Sequence, residues 1–383
     1  MSLSIQTYSS IADVPKDIWD GLVQGHSCTF SHAFWQIIER SQLNDFSYRY
    51  AIFFTDDRTP VALASFYTVT TDMAIFGPIK LRRMLEKVRR VFPNFMKLRI
   101  LECGTPVALN SPPFVTNGKI PDAELVEALD RFLTKTARSE WQLLIVVRDF
   151  EENATAMERD FQQRGYCIEG NLPNNYMDIV WATPQDYVDA MKSYYRSKLL
   201  KHLRRAEDQS FRHELVSDFG KLAEVLCEQW MIVHENAKEF QREILTPEFY
   251  RGLSTQMGAN SKVILFYQQD VLIGHVLLLM DGDLLRWLYF GRNVPVNDSL
   301  YIYASHKVIE AAITLGAKRL EMGLTTYPIK QDLGSQVTPL KMAIKSSIPF
   351  VNPLVKFFYP LMNSVPVIEN RSIFKSANAG EDA

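Results

Sequence analysis

The chain has 383 residues, 47% of them apolar and 22% charged, with a formal net charge of -2. That length exceeds one ordinary hydrophobic core and calls for two domains, and the composition excludes a disordered or membrane-embedded chain. The near balance of 42 basic against 44 acidic side chains excludes strong generic binding to nucleic acid or anionic surfaces, while leaving room for a local basic patch.

In chain order, residues 3–8 read as a strand, 15–23 as a helix and 30–41 (FSHAFWQIIERS) as a second helix, its apolar positions recurring at helical spacing. Residues 48–55 and 60–70 read as two strands joined by a turn at Asp56-Asp57-Arg58. The basic stretch 80–90 reads as an amphipathic helix, and 123–139 as another, leading into the apolar strand 143–147. A helix over 155–164 ends at Gly165, a good residue for closing a helix. The sequence Leu172-Pro173-Asn174-Asn175 marks a boundary, giving domains over 1–174 and 175–346 and a C-terminal segment and tail over 347–383.

The second half opens with a strand over 176–181, a long charged helix over 186–209, and helices over 219–235 and 247–257. Three strands follow, 262–268, 274–280 and 284–290, with hairpin residues at Gln269-Asp270 and Asp281-Gly282-Asp283. A helix over 299–315, a strand over 319–322, a short helix over 327–333 and a strand over 337–344 complete it. Each half shows the same coarse rhythm of strand, helices, strand meander, helix and strand. The fold class is α/β with a mixed sheet.

Cys28, Cys103, Cys167 and Cys227 are widely spaced with no C-x-x-C pair, which disfavours zinc and disulfide frameworks and fits a reducing, cytoplasmic setting. The first 20 residues lack a basic region followed by an apolar run, so no secretory signal is expected. The late apolar stretch 348–367 is broken by four prolines and contains Lys356, so a packed or interfacial segment is expected there rather than a transmembrane span.

The most informative run starts at the strand 284–290 and passes through a loop into the helix at Ser299, with Asp298 as the natural N-cap. Such a junction offers free backbone N–H groups and a positive helix end to a phosphate, and Arg292 adds a fixed charge there. A plain capped strand–loop–helix connection is the competing reading.

Several pieces resemble one family. They are GHVLLLMDGD at 274–283, Tyr289-Phe290-Gly291, EAAITLGAK at 310–318 and, most specific, MGLTTYPIKQDLGSQVTPL at 322–340 with Lys330 and Gly334. Together with the basic helix YYRSKLLKHLRRAE at 194–207 and, in the first half, Trp19 and Phe30-Ser31-His32-Ala33-Phe34, they resemble the GNAT superfamily of acyltransferases. The branch is the FemAB/FemX-like one, with two fused GNAT-like domains. The resemblance implies two tandem GNAT-like domains and an acyl donor bound at the loop after strand 284–290: acetyl-CoA or another acyl-CoA, a thioester on an acyl carrier protein, or, as in FemX-like enzymes, an aminoacyl-tRNA. Arg292, Asn293, Asn297 and Ser299 are the expected donor-binding residues. The loop departs from CoA-binding members, because Pro295 and Asn297 stand where glycines are usual; proline removes a donor and both side chains obstruct close backbone approach.

Amide-forming acyl transfer needs an amine made neutral and aimed at an activated carbonyl, plus stabilisation of the oxyanion. Glu321, at a strand end, is the expected proton acceptor, with a salt bridge to Arg319 or Lys318 as its plain alternative. Tyr327 and Tyr289 are the expected donors to the oxyanion or leaving thiol. Lys330 and Thr326 are expected on the substrate side, Lys330 against an anionic group; a solvated helix face is the alternative. His234 and Glu235, at a helix end, are further substrate-side candidates or else a cap complementing the helix dipole. His306 falls mid-helix among apolar residues and reads as a packing histidine, and the histidines show no metal-binding spacing.

The expected activity is transfer of an acyl group from a thioester to the amine of a small-molecule acceptor by direct attack. Two alternatives stand beside it. One is a FemX-like aminoacyltransferase using charged tRNA, its phosphates met by Arg204 and Arg205; the other is a catalytically silent protein that recognises a small anionic ligand.

Overall fold

The computed structural model describes residues 3–72, 79–107, 112–151, 154–236, 243–296, 299–363 and 365–375. The chain forms two compact units, each assembled from separate stretches. The first comprises Met1–Pro173, Lys238–Ile244 and Pro339–Pro366; the second comprises Asn174–Ala237, Leu245–Thr338 and Val367–Ala383. The C-terminal stretch is therefore divided between the units at Pro366.

In the first unit, β1 (Ser4–Tyr8) is followed by α1 (Lys16–Val23), α2 (His32–Ser41), β2 (Ser47–Phe54), β3 (Pro60–Asp72), α3 (Ile79–Arg89), β4 (Lys97–Cys103) and β5 (Val115–Thr116). Next come α4 (Asp122–Ser139), β6 (Leu144–Glu151), α5 (Thr155–Gln163) and β7 (Cys167–Asp178), which crosses into the second unit. The sheet order is β1-β2-β3-β4-β6, then the part of β13 (Gln336–Ser346) from Pro339 onward, with β5 against β3. All pairs are antiparallel except β4 with β6. The core forms where Leu129 and Leu133 of α4 and Phe161 of α5 meet Phe66, Leu101 and Val147 of the sheet. Burial of each such side chain contributes about 1.5–3 kcal/mol.

The second unit contains α6 (Pro184–Ala190), α7 (Ser193–Asp208), β8 (Phe211–Val216), α8 (Ala223–Asn236), α9 (Pro247–Gly252), β9 (Ser261–Gln268) and β10 (Val271–Asp281). It continues with β11 (Leu284–Arg292), α10 (Leu300–Thr314), β12 (Arg319–Glu321) and α11 (Tyr327–Asp332). Its sheet runs β8-β9-β10-β11-β12-β7, and β11 with β12 is its parallel pair. Both units thus place a helix between the last strand of a meander and a strand parallel to it. Ala304, Val308, Ile309 and Ala312 of α10 pack on Leu278, Leu285 and Leu320 of the sheet.

One expected helix over 186–209 is two. Met191 is extended, Lys192 N–H donates to Ile373 O at 2.8 Å and Lys375 N–H to Ala190 O at 2.9 Å, so distant backbone replaces the helical bonds. The start of α6 is closed by Thr183 and Asp186, each side chain bonding the other's backbone, with Pro184 in the first turn. Strand β8 was absent from the sequence-based expectation. Within the first unit, α12 (Asn352–Met362) spans most of the late apolar stretch. Among the described residues no helix is long and apolar enough to cross a membrane.

Candidate active site

The β11–β12 ladder has three register pairs: Leu284 with Arg319, Leu285 with Leu320 and Arg286 with Glu321. There β12 ends, while β11 runs on to Arg292, paired on its other side with β10. The β10–β11 register slips between Leu277 and Leu278, so Leu288 bulges and β11 bends where the ladder with β12 stops. Ligands gather at such strand ends, beyond the point where neighbouring strands part.

Glu321 is buried at this fork. Its Oε2 accepts from Arg286 Nη1, its Oε1 accepts from Asn174 Nδ2 at 2.7 Å, and Arg286 Nε donates to Asp281 Oδ2 at 2.9 Å. Arg319 and Lys318, the partners of Glu321 in the alternative reading, pair instead with Asp178 and Asp283. Two residues before Glu321 on the same face of this three-residue strand, Arg319 lies over the ring of Tyr176 at 4.0 Å. Burial raises the Glu321 carboxyl above its ordinary value, while Arg286 and Asn174 pull the other way. Each oxygen retains a further lone pair to accept a proton.

After Met322 the chain turns through residues of unusual backbone. Gly323, Thr325 and Thr326 have φ of 74°, 61° and 47°, and a left-handed conformation is strained for β-branched threonine. Lys330, expected against an anionic group with a solvated helix face as the alternative, is 3% accessible, and its ammonium meets this turn. Its Nζ donates to Gly323 O at 3.0 Å and Leu324 O at 2.6 Å, while Asn175 Nδ2 donates to Gly323 O at 2.7 Å. Burial pushes the Lys330 ammonium down to about 7, opposed by the charge of Glu321. The ammonium thus bonds two carbonyls of the turn that leads into α11. Gly334, at φ 108°, supports the same segment, because a Cβ there would lie 2.4 Å from the Phe374 ring.

Tyr301 of α10 closes the third side. Its ring packs against Trp287 and Phe290 of β11, with centroids at 5.7 and 5.3 Å, and its hydroxyl lies 2.8 Å from Thr326 Oγ1. On β11, Tyr289 meets Trp230 and Phe249 edge-on, and His234 stacks on Trp230 at 4.5 Å. Burial lowers the His234 pKa, with Glu235 opposing. Glu235 itself is exposed.

Asn293 has a structural task. Its Nδ2 donates to Leu272 O at 2.6 Å, and its Oδ1 accepts from Gln229 Nε2 at 2.7 Å. That orientation of Gln229 turns its Oε1 to His275 Nδ1 at 2.8 Å, leaving His275 Nε2 to accept from Tyr250 OH at 3.0 Å. Ser299, just ahead of α10, has its Oγ 3.1 Å from His202 Nδ1 of the basic helix α7. Arg292 is buried at the end of β11. Asn297 and Asp298 lie outside the described residues. On α7, Lys201, Arg204 and Arg205 are exposed, whereas Lys198 pairs with Asp332 and Arg196 lies 3.8 Å from Asp189.

The structure therefore brings Glu321, Lys330 and Thr326 around one turn, Tyr289 and His234 into one aromatic cluster, and Ser299 beside α7. Tyr327 opens α11 directly after Thr326. Sequence reasoning missed Arg286, Asn174, Asn175, Tyr301 and Trp230. Asn174-Asn175 enters the sequence reading only as part of a domain boundary, and both side chains are fully buried at the fork.

No family model matches the chain. Two curated proteins from Mycobacterium tuberculosis strains, each named "Putative 8-amino-7-oxononanoate synthase 2", are 25% identical over 298 residues, which is 76% of this chain. The chain spans 38% of the length of these relatives. Among solved structures, FemX superposes with a TM-score of 0.57 at 11% identity, covering 92% of this chain and 100% of FemX. The C-terminal domain (DUF2156) of a "Putative Lysylphosphatidylglycerol Synthetase" from Agrobacterium fabrum gives 0.54 at 9% identity, covering 90% and 97% of the two chains. A tandem GNAT protein from the clavulanic acid biosynthesis pathway gives 0.52 at 8% identity, covering 91% and 99%. The chain has the tandem GNAT-like fold, which it shares with FemX.

Proposed function

We propose that the second unit is an N-acyltransferase that moves an acyl group from a thioester donor onto the amine of a small molecule. The observation that carries this reading is the fork at Arg286–Glu321, where a bulged β11 parts from β12 with a buried carboxylate at the apex. The acyl donor lies along β11 from Leu288 to Arg292, with Arg292, Ser299 and the cations of α7 facing its phosphates. The acceptor enters by the cluster of Tyr289, Trp230 and His234.

The amine nitrogen attacks the thioester carbonyl, forming the C–N bond and placing charge on the oxygen. Glu321 takes the proton released by nitrogen, directly or through water. The C–S bond then breaks, and the thiolate leaves with a proton from Tyr289 or Tyr327. Lys330 acts by holding the turn that carries Thr326 and Tyr327.

The name of the curated relatives describes a product with an amino group beside a ketone, and an amine of that class is the acceptor to test first. The fold shared with FemX supports the second reading, an aminoacyl-tRNA donor met by exposed Lys201, Arg204 and Arg205.

The test is thiol release and mass spectrometry with short- and long-chain acyl-CoAs, acyl carrier thioesters and aminoacyl-tRNA, each against a panel of amines. Acyl-amine formation that Glu321→Gln abolishes supports the proposal. Failure to bind or consume any thioester ends it, and consumption of aminoacyl-tRNA in its place selects the second reading.

A further inference from the structure

In the first unit, three chain segments leave the same end of the sheet. The β4–β6 register places Leu101 beside Ile145, so counting back four residues sets Lys97 level with Trp141. The β6–β13 register places Leu144 beside Ser346, which puts the turn after Ser346 at that level too. Helix α3 leads into Lys97, Trp141 precedes β6, and Phe350 and α12 follow β13.

These segments carry an unusual surface. Among the described residues, every exposed Phe and Trp of the first unit lies on them: Phe92, Phe95, Trp141, Phe350, Phe357 and Phe358. Trp141 is 94% and Phe350 81% accessible. Helix α12 is no frayed end, because its inner side is pinned. Tyr359 is buried, Asn352 Nδ2 donates to Gly165 O at 2.8 Å and Asn363 Nδ2 to Gly170 O at 2.7 Å. Its outer side nevertheless presents Leu354, Phe357 and Phe358, which exposes apolar area that an ordinary surface helix would cover.

Charge decides what covers it. Residues 79–97 hold seven Lys and Arg against one acidic residue, Glu86, and no Asp or Glu occurs between Asp332 and Glu369. Arg83, Lys87 and Arg90 are exposed on the same segment as Phe92. We propose that this end of the first unit docks on an anionic lipid bilayer, with α3 and α12 lying in the headgroup region and the aromatic rings reaching the acyl boundary. Basic side chains beside protruding Phe and Trp are the chemistry of interfacial helices. A nucleic-acid backbone would satisfy the cations but would leave Leu354, Phe357 and Phe358 without an apolar medium.

The test is co-sedimentation of the full chain with phosphatidylcholine vesicles and with mixed phosphatidylcholine–phosphatidylglycerol vesicles, alongside analytical ultracentrifugation and a tRNA-binding assay. The expected result is binding that favours the mixed vesicles and falls at least ~10-fold in the Phe357→Asp/Phe358→Asp variant, and also in Arg83→Glu/Arg90→Glu. These positions are solvent-facing, and an unchanged circular dichroism spectrum confirms that the fold survives. Absence of vesicle binding, or binding indifferent to both variants, overturns the proposal. A dimer dissolved by Phe357→Asp/Phe358→Asp overturns it in favour of self-association, and tRNA binding without vesicle binding does so in favour of nucleic acid. None of these readouts depends on acyl transfer.

Discussion

Arg286 and Glu321 form the last register pair of the β11–β12 ladder, and their buried side chains join where the two strands part. Arg286 also holds Asp281, so one guanidinium neutralises two carboxylates out of reach of water. Replacing Arg286 by Met strands both anions, and breaking a buried pair in this way costs about 3–5 kcal/mol. Thermal and denaturant unfolding should show Arg286→Met as severely destabilised. Glu321→Gln should be milder, because the amide still accepts from Asn174 and Arg286 retains Asp281. Its mark should be catalytic: loss of a general base costs about 10²–10⁴-fold in rate. The pH–rate profile of the residual activity should lose its acidic limb. An unchanged profile would assign Glu321 to structure alone.

Lys330 is predicted to act through the 323–326 turn. Lys330→Met removes a donor from two carbonyls; Gly323 O keeps Asn175, while Leu324 O loses the Lys330 bond, at about 1–3 kcal/mol for a group left unsatisfied. The strained Thr325 and Thr326 should then relax, lowering turnover by more than donor affinity. The pH dependence has a defined sign. The folded ammonium sits at about 7 and the unfolded one near 10.5, so between these values the unfolded chain holds the proton more tightly. The charge-burial penalty is therefore complete below about 7 and is relieved as pH rises towards 10.5. The stability difference between wild type and Lys330→Met should shift in favour of wild type over that range, as urea unfolding at a series of pH values would measure.

Much of the frame was legible because its signals are local. The hairpin residues at Gln269-Asp270 and Asp281-Gly282-Asp283 announce the meander, and the periodicity of 299–315 announces α10. What escaped depends on residues far apart in sequence. The break at Met191 needs Ile373 and Lys375, and Arg286 meets Glu321 only after an intervening helix returns the chain to the sheet. Asn174-Asn175 combines two turn-forming residues and so reads as part of a boundary; its burial follows from pairing with Glu321 and Gly323, which local sequence does not reveal. Lys330 and Gly334 stood out through resemblance, and their physical reasons, a pinned turn and the seat of Phe374, came from the structure.

Two glycines should prove intolerant of even a methyl group. At Gly334 a Cβ would sit 2.4 Å from the Phe374 ring on a backbone at φ 108°, so strain and collision combine. At Gly291 it would lie 2.3 Å from His275 Cε1 and 2.8 Å from the backbone nitrogen of Trp230, which cannot yield without moving α8. Overpacking of this kind costs about 1–3 kcal/mol and more where backbone must shift. Gly334→Ala and Gly291→Ala should both lower the unfolding midpoint. Gly282→Ala, where nothing lies within 4 Å but φ is 61°, should cost less.

The buried histidines predict acid sensitivity before the carboxylates titrate. His275 is enclosed between Gln229 and Tyr250, and burial lowers its pKa to about 3. His306 is 4% accessible, has no hydrogen-bond partner on either ring nitrogen, and is lowered to about 4 by burial, with Glu310 opposing. An unfolded histidine titrates near 6.5, so below that pH the unfolded chain takes up protons that the fold refuses. The stability these groups contribute is present above about 6.5 and is lost as pH falls towards 4 and 3. At pH 5 the loss should be on the order of 2 kcal/mol for each histidine, from 1.36 kcal/mol per unit. Urea unfolding between pH 7 and about 5 should show this slope, and His306→Leu should remove its own share of it while leaving the share that belongs to His275. A wild-type stability flat across that window would mean that neither ring is held neutral by the fold.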